Sequence, residues 1–543
     1  MARRTWRFIA LMAVGALIVA ACGGNSSSST TSAGDGGTTT TAGPGATTTT
    51  SGSAGEGKYG GVLKFQLLRD ADAGYDPNLA TLSTVYTITQ LMFDTLGEVM
   101  PDGEIVPSLA TEWDISDDEL TYTFKLRDDV VFHNGRPMTS ADVKYTIERI
   151  QDPETNSPRR AVFGVVDSIE TPDDTTVVFH LNEPFAPFLA ALSDITAAIV
   201  PQEVVEAEGG TLNTNPVGTG PFKFVEWEVD RHVIVERNDD YWRDGLPYLD
   251  GIEFSFNADG NARASNVRSG TIDFLWNSPP ELVPVLRDDP NIVTYGGEGT
   301  QSFQYLLLNL NREPLDDVKV RQAIFWALDR EAIRIVSRPD TTTPLNSGFL
   351  PAEHWAGVQP DDFIYEQDME MAASLLEEAG VGDGFDMEIL VLVGSDFHIR
   401  TAQVIQSQLE PLGINVTVTT VESGQQTERR NNGDFDGIVT GFSGTIDPDE
   451  RVTQTFVTGG GTNYVQFSDE IVDNLAAEAR STSDRERRAE LYRELQLRVA
   501  EVGPMAFIYN YHFVDALRAD VKGYTFNPQL VDYRSVREVW LDR

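Results

Sequence analysis

The 543-residue chain carries 41 Lys and Arg against 84 Asp and Glu, a net charge of −43 at pH 7. So acidic a chain offers no basic stripe to neutralise phosphates, which excludes nucleic-acid binding, and the charge reads as a well-solvated exterior. Its single cysteine, Cys22, excludes an intramolecular disulfide, so a hydrophobic core must hold the fold.

In chain order, Arg3, Arg4 and Arg7 form a basic n-region and Phe8 to Ala21 an apolar run too short to span a bilayer comfortably. Val19-Ala20-Ala21-Cys22-Gly23 then matches a lipobox, in which small residues precede a cysteine that is lipidated and becomes the new N-terminus. Residues 1–21 are therefore read as a lipoprotein signal peptide with Cys22 as the lipidation site. Residues 22–57 are almost entirely Gly, Ser, Thr and Ala and cannot bury enough apolar surface to offset chain entropy, so they read as a tether. No later apolar run approaches eighteen residues, so the chain is not itself a channel or permease.

Residues 58–543 suffice for two or three domains. Val62 to Leu68 reads as a first strand, and Leu120 to Leu126 alternates large and polar residues as a half-buried strand does. Thr139 opens a helix over Ser140 to Arg149, with Val143 and Ile147 on one face and Asp142 and Lys144 expected in solvent. Strands are expected at Thr176 to Leu181, Phe222 to Trp227, His232 to Arg237 and Thr271 to Leu275. The second half predicts one long helix over Asp317 to Val336 and a buried strand over Met387 to Val393. A helix at 401–412, a strand at Ile414 to Val418, a short strand at Phe435 to Thr440 and a helix at Arg485 to Glu501 follow. Strand and helix in that rhythm argue for an α/β lobe between about 300 and 508.

Motifs of catalysis do not assemble. The six histidines are scattered, with neither an HExxH pair nor partner cysteines for zinc. Gly441-Phe442-Ser443-Gly444-Thr445 is close to a nucleophile elbow, but Thr445 stands where the last glycine belongs. No enzyme activity, cofactor or metal is expected. A secreted hydrolase would need a nucleophile–base pair that is not readable here.

Four blocks carry a resemblance. Leu109 to Arg149 contains L-A-T-E-W-D-I-S and Y-T-F-K-L-R-D-D-V-V-F-H-N-G-R-P-M-T-S-A-D-V-K-Y-T-I-E-R. Asn215 to Phe222 reads N-P-V-G-T-G-P-F and is followed by Glu236-Arg237-Asn238 and Tyr241-Trp242. Val320-Arg321-Gln322-Ala323 precedes Ala327-Leu328-Asp329-Arg330, and Leu412-Gly413-Ile414 precedes the Asp447-Pro448-Asp449 turn. In this order and behind a lipobox, the chain resembles the extracytoplasmic solute-binding proteins of ABC importers, family 5, the oligopeptide/dipeptide/nickel-binding group. The resemblance implies an α/β, bilobal periplasmic-binding-protein fold of the cluster C type. The first lobe would comprise 58–97, 206–298 and 509–543, with an extra subdomain at 98–205, and the second lobe 299–508. Hinge strands would lie near Tyr295 to Asn309 and Phe507 to Tyr511. Trp113, Tyr122, Phe124, Tyr241 and Trp242 would pack cores and seams. It also implies a monomer outside the cell membrane, held by its lipid anchor only, that closes on a small-molecule or peptide ligand and docks on ABC permease and ATPase subunits.

The family's charged peptide anchors fall at Thr445, Val439 and Leu392, none of which is charged. A zwitterion desolvated in a closed cleft needs its charges paired, so a short free peptide held by its termini is disfavoured. A neutral ligand, a capped or cyclic peptide, a long peptide held by its backbone or an oligosaccharide is favoured instead. Trp276, Asn277, Trp355 and Phe442 are the candidate platforms, and Ser443 and Thr445 the candidate polar contacts. His398 or His512 would be recruited only for a nickel chelate.

Overall fold

The computed structural model describes residues 57–71, 73–296, 301–345, 347–362, 364–528 and 532–543. Cys22, the signal and nearly all of the tether lie outside them. The first apolar run forms the strand Val62–Leu67, which pairs in parallel with Gly251–Phe256 on one side and Phe274–Leu275 on the other. These three centre a seven-stranded sheet completed by His232–Arg237 and Phe222–Glu228 at one edge and by Val514–Arg518 and Ile292–Gly296 at the other. Leu63, Phe65 and Leu67 alternate into its core, where Phe65 stacks on Phe274 with centroids 4.1 Å apart.

A second, six-stranded sheet runs in the order Thr342–Pro344, Met505–Tyr511, Phe303–Leu308, Gly437–Phe442, Phe385–Leu392, Ile414–Val421. Its inner strands are covered on both faces: every residue of Phe303–Leu308 is buried, as are Met387 and Ile389 to Val391. Between the contributions to the first sheet, Ala110–Ile115, Thr121–Leu126, Thr176–Leu181 and Val166–Asp173 form a four-stranded antiparallel sheet. The helix Ser140–Gln151 lies over it, with Val143 and Ile147 buried beside Tyr122, Phe124 and Phe179. No helix among the described residues is long and apolar enough to cross a membrane.

Three expectations change. The single helix over 317–336 is two, Val318–Ala327 and Arg330–Ser337. Leu328 turns extended, and the Asp329 carboxylate accepts the Ala332 N–H at 2.9 Å, starting a new helix with an N-cap. Asp142 is not a solvated helix residue. It is buried, accepts the Thr139 backbone N–H at 2.8 Å and is held bidentately by Arg136 at 2.6 and 3.0 Å. Residues 509–511, assigned to the first lobe, pair instead in the six-stranded sheet, where Asn510 lies opposite Phe303 and Tyr511 opposite Thr342. The chain crosses two residues later, at His512 and Phe513, before Val514 pairs with Gly296.

That crossing is tight. Gly296 has φ +142°, and a Cβ there would stand 2.2 Å from the Phe513 carbonyl oxygen, so only glycine fits. One residue past Val514, the buried Asp515 carboxylate accepts the Asn277 N–H at 2.9 Å and the hydroxyls of Tyr524 and Tyr533 at 2.8 and 3.0 Å. Burial pushes its pKa up to about 6, against those three donors.

The family-like blocks turn out to be joints. His133 sits between Gly218, whose N–H donates to Nδ1 at 3.3 Å, and Gly220, whose carbonyl faces Nε2 at 3.0 Å, so the first block locks to the second. Thr219, Tyr241 and Trp242 converge on the buried Asp94, with Trp242 Nε1 3.0 Å from the carboxylate. Arg321 donates to four carbonyls, those of Leu315, Asp316, Val502 and Gly503. Arg330 donates to those of Phe325, Leu328 and Phe507, and burial lowers its pKa to about 10.

Arg321→Met should therefore strand buried carbonyls and cost about 3 kcal/mol or more, read as a lower urea midpoint at unchanged m. Asp515 gives a pH signature. With a folded pKa above the unfolded value of about 3.9, its contribution is fully present below pH ~4 and lost as pH rises through about 6. The stability advantage of the wild type over Asp515→Asn should shrink between pH 4 and pH 7.5; a difference that is constant or grows over that range contradicts the assignment.

Candidate functional site

The Asp447-Pro448-Asp449 turn starts the helix Pro448–Thr455 and aims its first residues at the cleft between the lobes. Asp447 caps the helix by accepting the Asp449 N–H at 3.0 Å and is fixed by Arg488 at 2.7 Å, and Pro448 fills a first-turn position that needs no N–H. Asp449 turns inward, where burial raises its pKa in spite of Arg480, 2.8 Å away. Glu450 and Arg451 are left facing the first lobe.

On the opposite wall, Asp194 caps the short turn Ile195–Ala197 through the Thr196 N–H at 2.8 Å and binds Arg159 at 2.6 Å. Burial works against the Asp194 charge, but Arg159 and Thr196 outweigh it and hold the carboxyl below its usual range. Arg159 also reaches across to Glu450 at 2.7 Å, tying the extra subdomain to the second lobe. Around the rim, the Ala186 N–H donates to the Arg480 carbonyl at 2.8 Å. Ser483 Oγ donates to Glu119 at 2.7 Å, and Arg485 reaches the Asp102 carbonyl at 3.2 Å. The two walls are in contact.

Two adjoining cavities lie between them. One, of about 400 Å³, has Tyr86, Gln90, Asp194, Asp532 and Arg534 on one side and Ser443 to Ile446, Glu450 and Arg451 on the other, with Phe513 of the crossing at its edge. The second, of about 500 Å³, shares Arg159, Asp194, Ile446 and Glu450 with the first and extends past Phe163 and Phe185 to Asp449 and Arg480. Volumes in this range hold small organic ligands.

The candidate residues divide. Ser443 and Thr445 line the smaller cavity, with the Thr445 hydroxyl donating to the Asp447 carbonyl at 2.8 Å. Phe442 lies behind that wall, stacked on Tyr305 at 5.0 Å and covered by the Arg451 guanidinium 3.7 Å from its ring centroid. The other three line neither cavity. Trp276 is 3% exposed in the first-lobe core, and Asn277 is a turn residue at φ +43° whose N–H belongs to Asp515. Trp355 packs edge-on to Tyr492 with Arg485 and Arg488 over its ring. Of the uncharged anchor positions, Val439 is wholly buried in the six-stranded sheet and Leu392 ends its strand.

His398 and His512 are both buried. Burial and Arg338 push His398 down to about 4, and His512 Nε2 lies 3.0 Å from the Thr343 hydroxyl. Glu226, Glu228 and His232 bring donor atoms within 4.8 Å of one another on the edge hairpin of the seven-stranded sheet, where His232 already pairs with Glu226 at 3.0 Å. Sequence reasoning missed Arg159, Asp194, Glu450 and Arg451. The first two carry no motif, but Glu450 and Arg451 follow directly on the Asp-Pro-Asp turn, a signal that was available.

The model of the bacterial extracellular solute-binding proteins, family 5, middle region, matches residues 104–464. The chain is 30% identical over 491 residues to di/tripeptide-binding protein 2 of Pseudomonas aeruginosa, covering 84% of this chain and 91% of that one. Among solved structures, the ABC transporter substrate-binding protein CtaP of Listeria monocytogenes superposes with a TM-score of 0.82 at 28% identity, over 90% of this chain and 100% of that one. The periplasmic binding protein DppA of Helicobacter pylori, in complex with the peptide STSA, does so with a TM-score of 0.75 at 28% identity, over 90% and 99%. With a mixed-sheet α/β architecture of the cluster C type and a cleft between its two lobes, the chain belongs to family 5 of the bacterial extracellular solute-binding proteins.

Proposed function

We propose that this protein is a lipid-anchored receptor outside the cell membrane that captures a peptide-like organic solute by closing its lobes and hands it to the permease of an ABC importer. The observation that carries the reading is the pair of ligand-sized cavities walled by side chains of both lobes. A ligand held there touches both walls at once only when they meet, so its binding energy favours the closed arrangement. The lipobox at Cys22 supports the anchor, and the long Gly/Ser/Thr tether would let a closed body reach a neighbouring permease. A peptide-like solute is favoured over an oligosaccharide because no tryptophan lines either cavity, whereas Ser443, Thr445, Gln90 and several charged groups do.

Thermal shift of the full chain against matched panels of short peptides and oligosaccharides tests the reading. A ligand at a hundred times its Kd adds about 2.7 kcal/mol to the folded state. Peptides should raise Tm, whereas a response to sugars alone overturns the ligand class. Glu450→Gln removes the charge from the bridge to Arg159 and should weaken a binding peptide about tenfold, mainly through faster release. Cys22→Ser should move the protein from the membrane fraction to the soluble fraction, and unchanged fractionation contradicts the anchor.

A further inference from the structure

The charges that wall the cleft are matched, with one exception. Asp194 and Glu450 share Arg159, Asp449 faces Arg480 and Asp447 faces Arg488. Asp532 lies 3.6 Å from Arg534, which also donates to the Ser193 carbonyl at 3.0 Å. Every carboxylate lining the two cavities thus already has a guanidinium. Arg451 has no carboxylate within ion-pair distance among the described residues, and the one hydrogen bond its side chain makes there is to the Ser443 carbonyl at 3.1 Å.

Its geometry is that of a prepared site. The guanidinium lies 3.7 Å over the Phe442 ring, which is itself stacked on Tyr305 and has its carbonyl fixed by the Tyr511 hydroxyl at 3.1 Å. Stacking uses the face of the guanidinium, and with one Nη2 N–H on the Ser443 carbonyl its remaining in-plane N–H groups are left for a planar, bidentate acceptor. The group is half-buried, and burial lowers its pKa against the pull of Tyr305 and Glu450. A half-buried cation without a counter-ion, in a cavity that closes further over a ligand, is destabilising unless the ligand brings the anion.

We propose that Arg451 is the anion subsite of the cleft and holds a carboxylate of the bound solute. This rests on the cleft being the site of a peptide-like ligand, and it narrows that ligand to an acid. The carboxylate comes either from a peptide's C-terminus or from an acidic side chain. Arg451 would then do the work for which Thr445, Val439 and Leu392 are unsuited, from the opposite flank of the Asp-Pro-Asp turn.

The test is calorimetric titration of the full chain with pairs of di- and tripeptides, each as free acid and as C-terminal amide, with and without a Glu side chain. In at least one series the peptide bearing the recognised carboxylate, at its C-terminus or on a Glu side chain, should bind about 10- to 100-fold tighter than its partner without it. A drop in affinity on amidation assigns the C-terminus, and a gain in affinity from the Glu side chain that survives amidation assigns the side chain. Arg451→Gln should abolish the discrimination and Arg451→Lys should restore part of it. The ratio is internal to each variant, so partial misfolding cancels. Acid and amide binding equally with the Glu side chain adding nothing, or full carboxylate discrimination by Arg451→Gln, overturns the subsite and leaves a peptide receptor standing. If no peptide of either form binds the wild type, the peptide reading fails and the subsite with it.

Discussion

Everything that this molecule can do as two lobes depends on how little chain joins them. Met505–Tyr511 completes its pairing in the six-stranded sheet, and after His512 and Phe513 the strand Val514–Arg518 is already paired in the other. The first sheet's strand Ile292–Gly296 and the second sheet's strand Phe303–Leu308 mark the other passage between lobes, of which residues 297–300 lie outside the described residues. A link of two residues, packed against a glycine that tolerates no Cβ, is narrow, and a narrow link bends where a packed interface would not. The hydrophobic cores stay within their own lobes. Contacts that cross include Arg159 to Glu450, the rim hydrogen bonds and the Arg480 guanidinium over the Phe185 ring, each individually modest.

The polar interior follows a consistent pattern. Buried arginines such as Arg321 and Arg330 are satisfied by backbone carbonyls, and buried carboxylates such as Asp94, Asp142 and Asp515 by directed donors. These groups staple the ends of helices and loops to sheets, and Asp142, Arg321 and Arg330 are among the residues by which the family is recognised. Recognition and ligand binding are therefore separate. Most of the motifs that identify the chain build the frame, and of them only the Asp447-Pro448-Asp449 turn brings residues to a cavity wall.

Much of the frame was legible in the sequence. Period-two alternation located Thr121–Leu126, turn-separated runs located Thr176–Leu181 and His232–Arg237, and the apolar run at 387–393 located a strand covered on both faces. The broken helix at Leu328 was missed because Val320, Ile324 and Leu328 keep helical spacing right up to the break, while Asp329 caps the next helix. Asp142 was read as solvated because a carboxylate on an amphipathic helix usually is. Its burial depends on Arg136, which the turn ahead of the helix folds back onto it. The cleft was the least legible part. Trp276 and Trp355 were chosen for their chemistry, but large aromatic side chains fill cores more often than they line cavities. Arg451 drew no notice because its meaning is relational: it matters only once every neighbouring carboxylate is seen to have another partner.

The central claim is that the two lobes form one closing device. With Cys22 replaced by serine the chain contains no cysteine, so labels at Asp117 and Ser481, exposed on either side of the cleft mouth, can be introduced as a single cysteine pair. Their separation, followed by single-molecule energy transfer, should shift to a single short distance when a binding peptide is added and to a longer, broader distribution without it. An identical distribution in both conditions would contradict closure and, with it, the account given of the cleft.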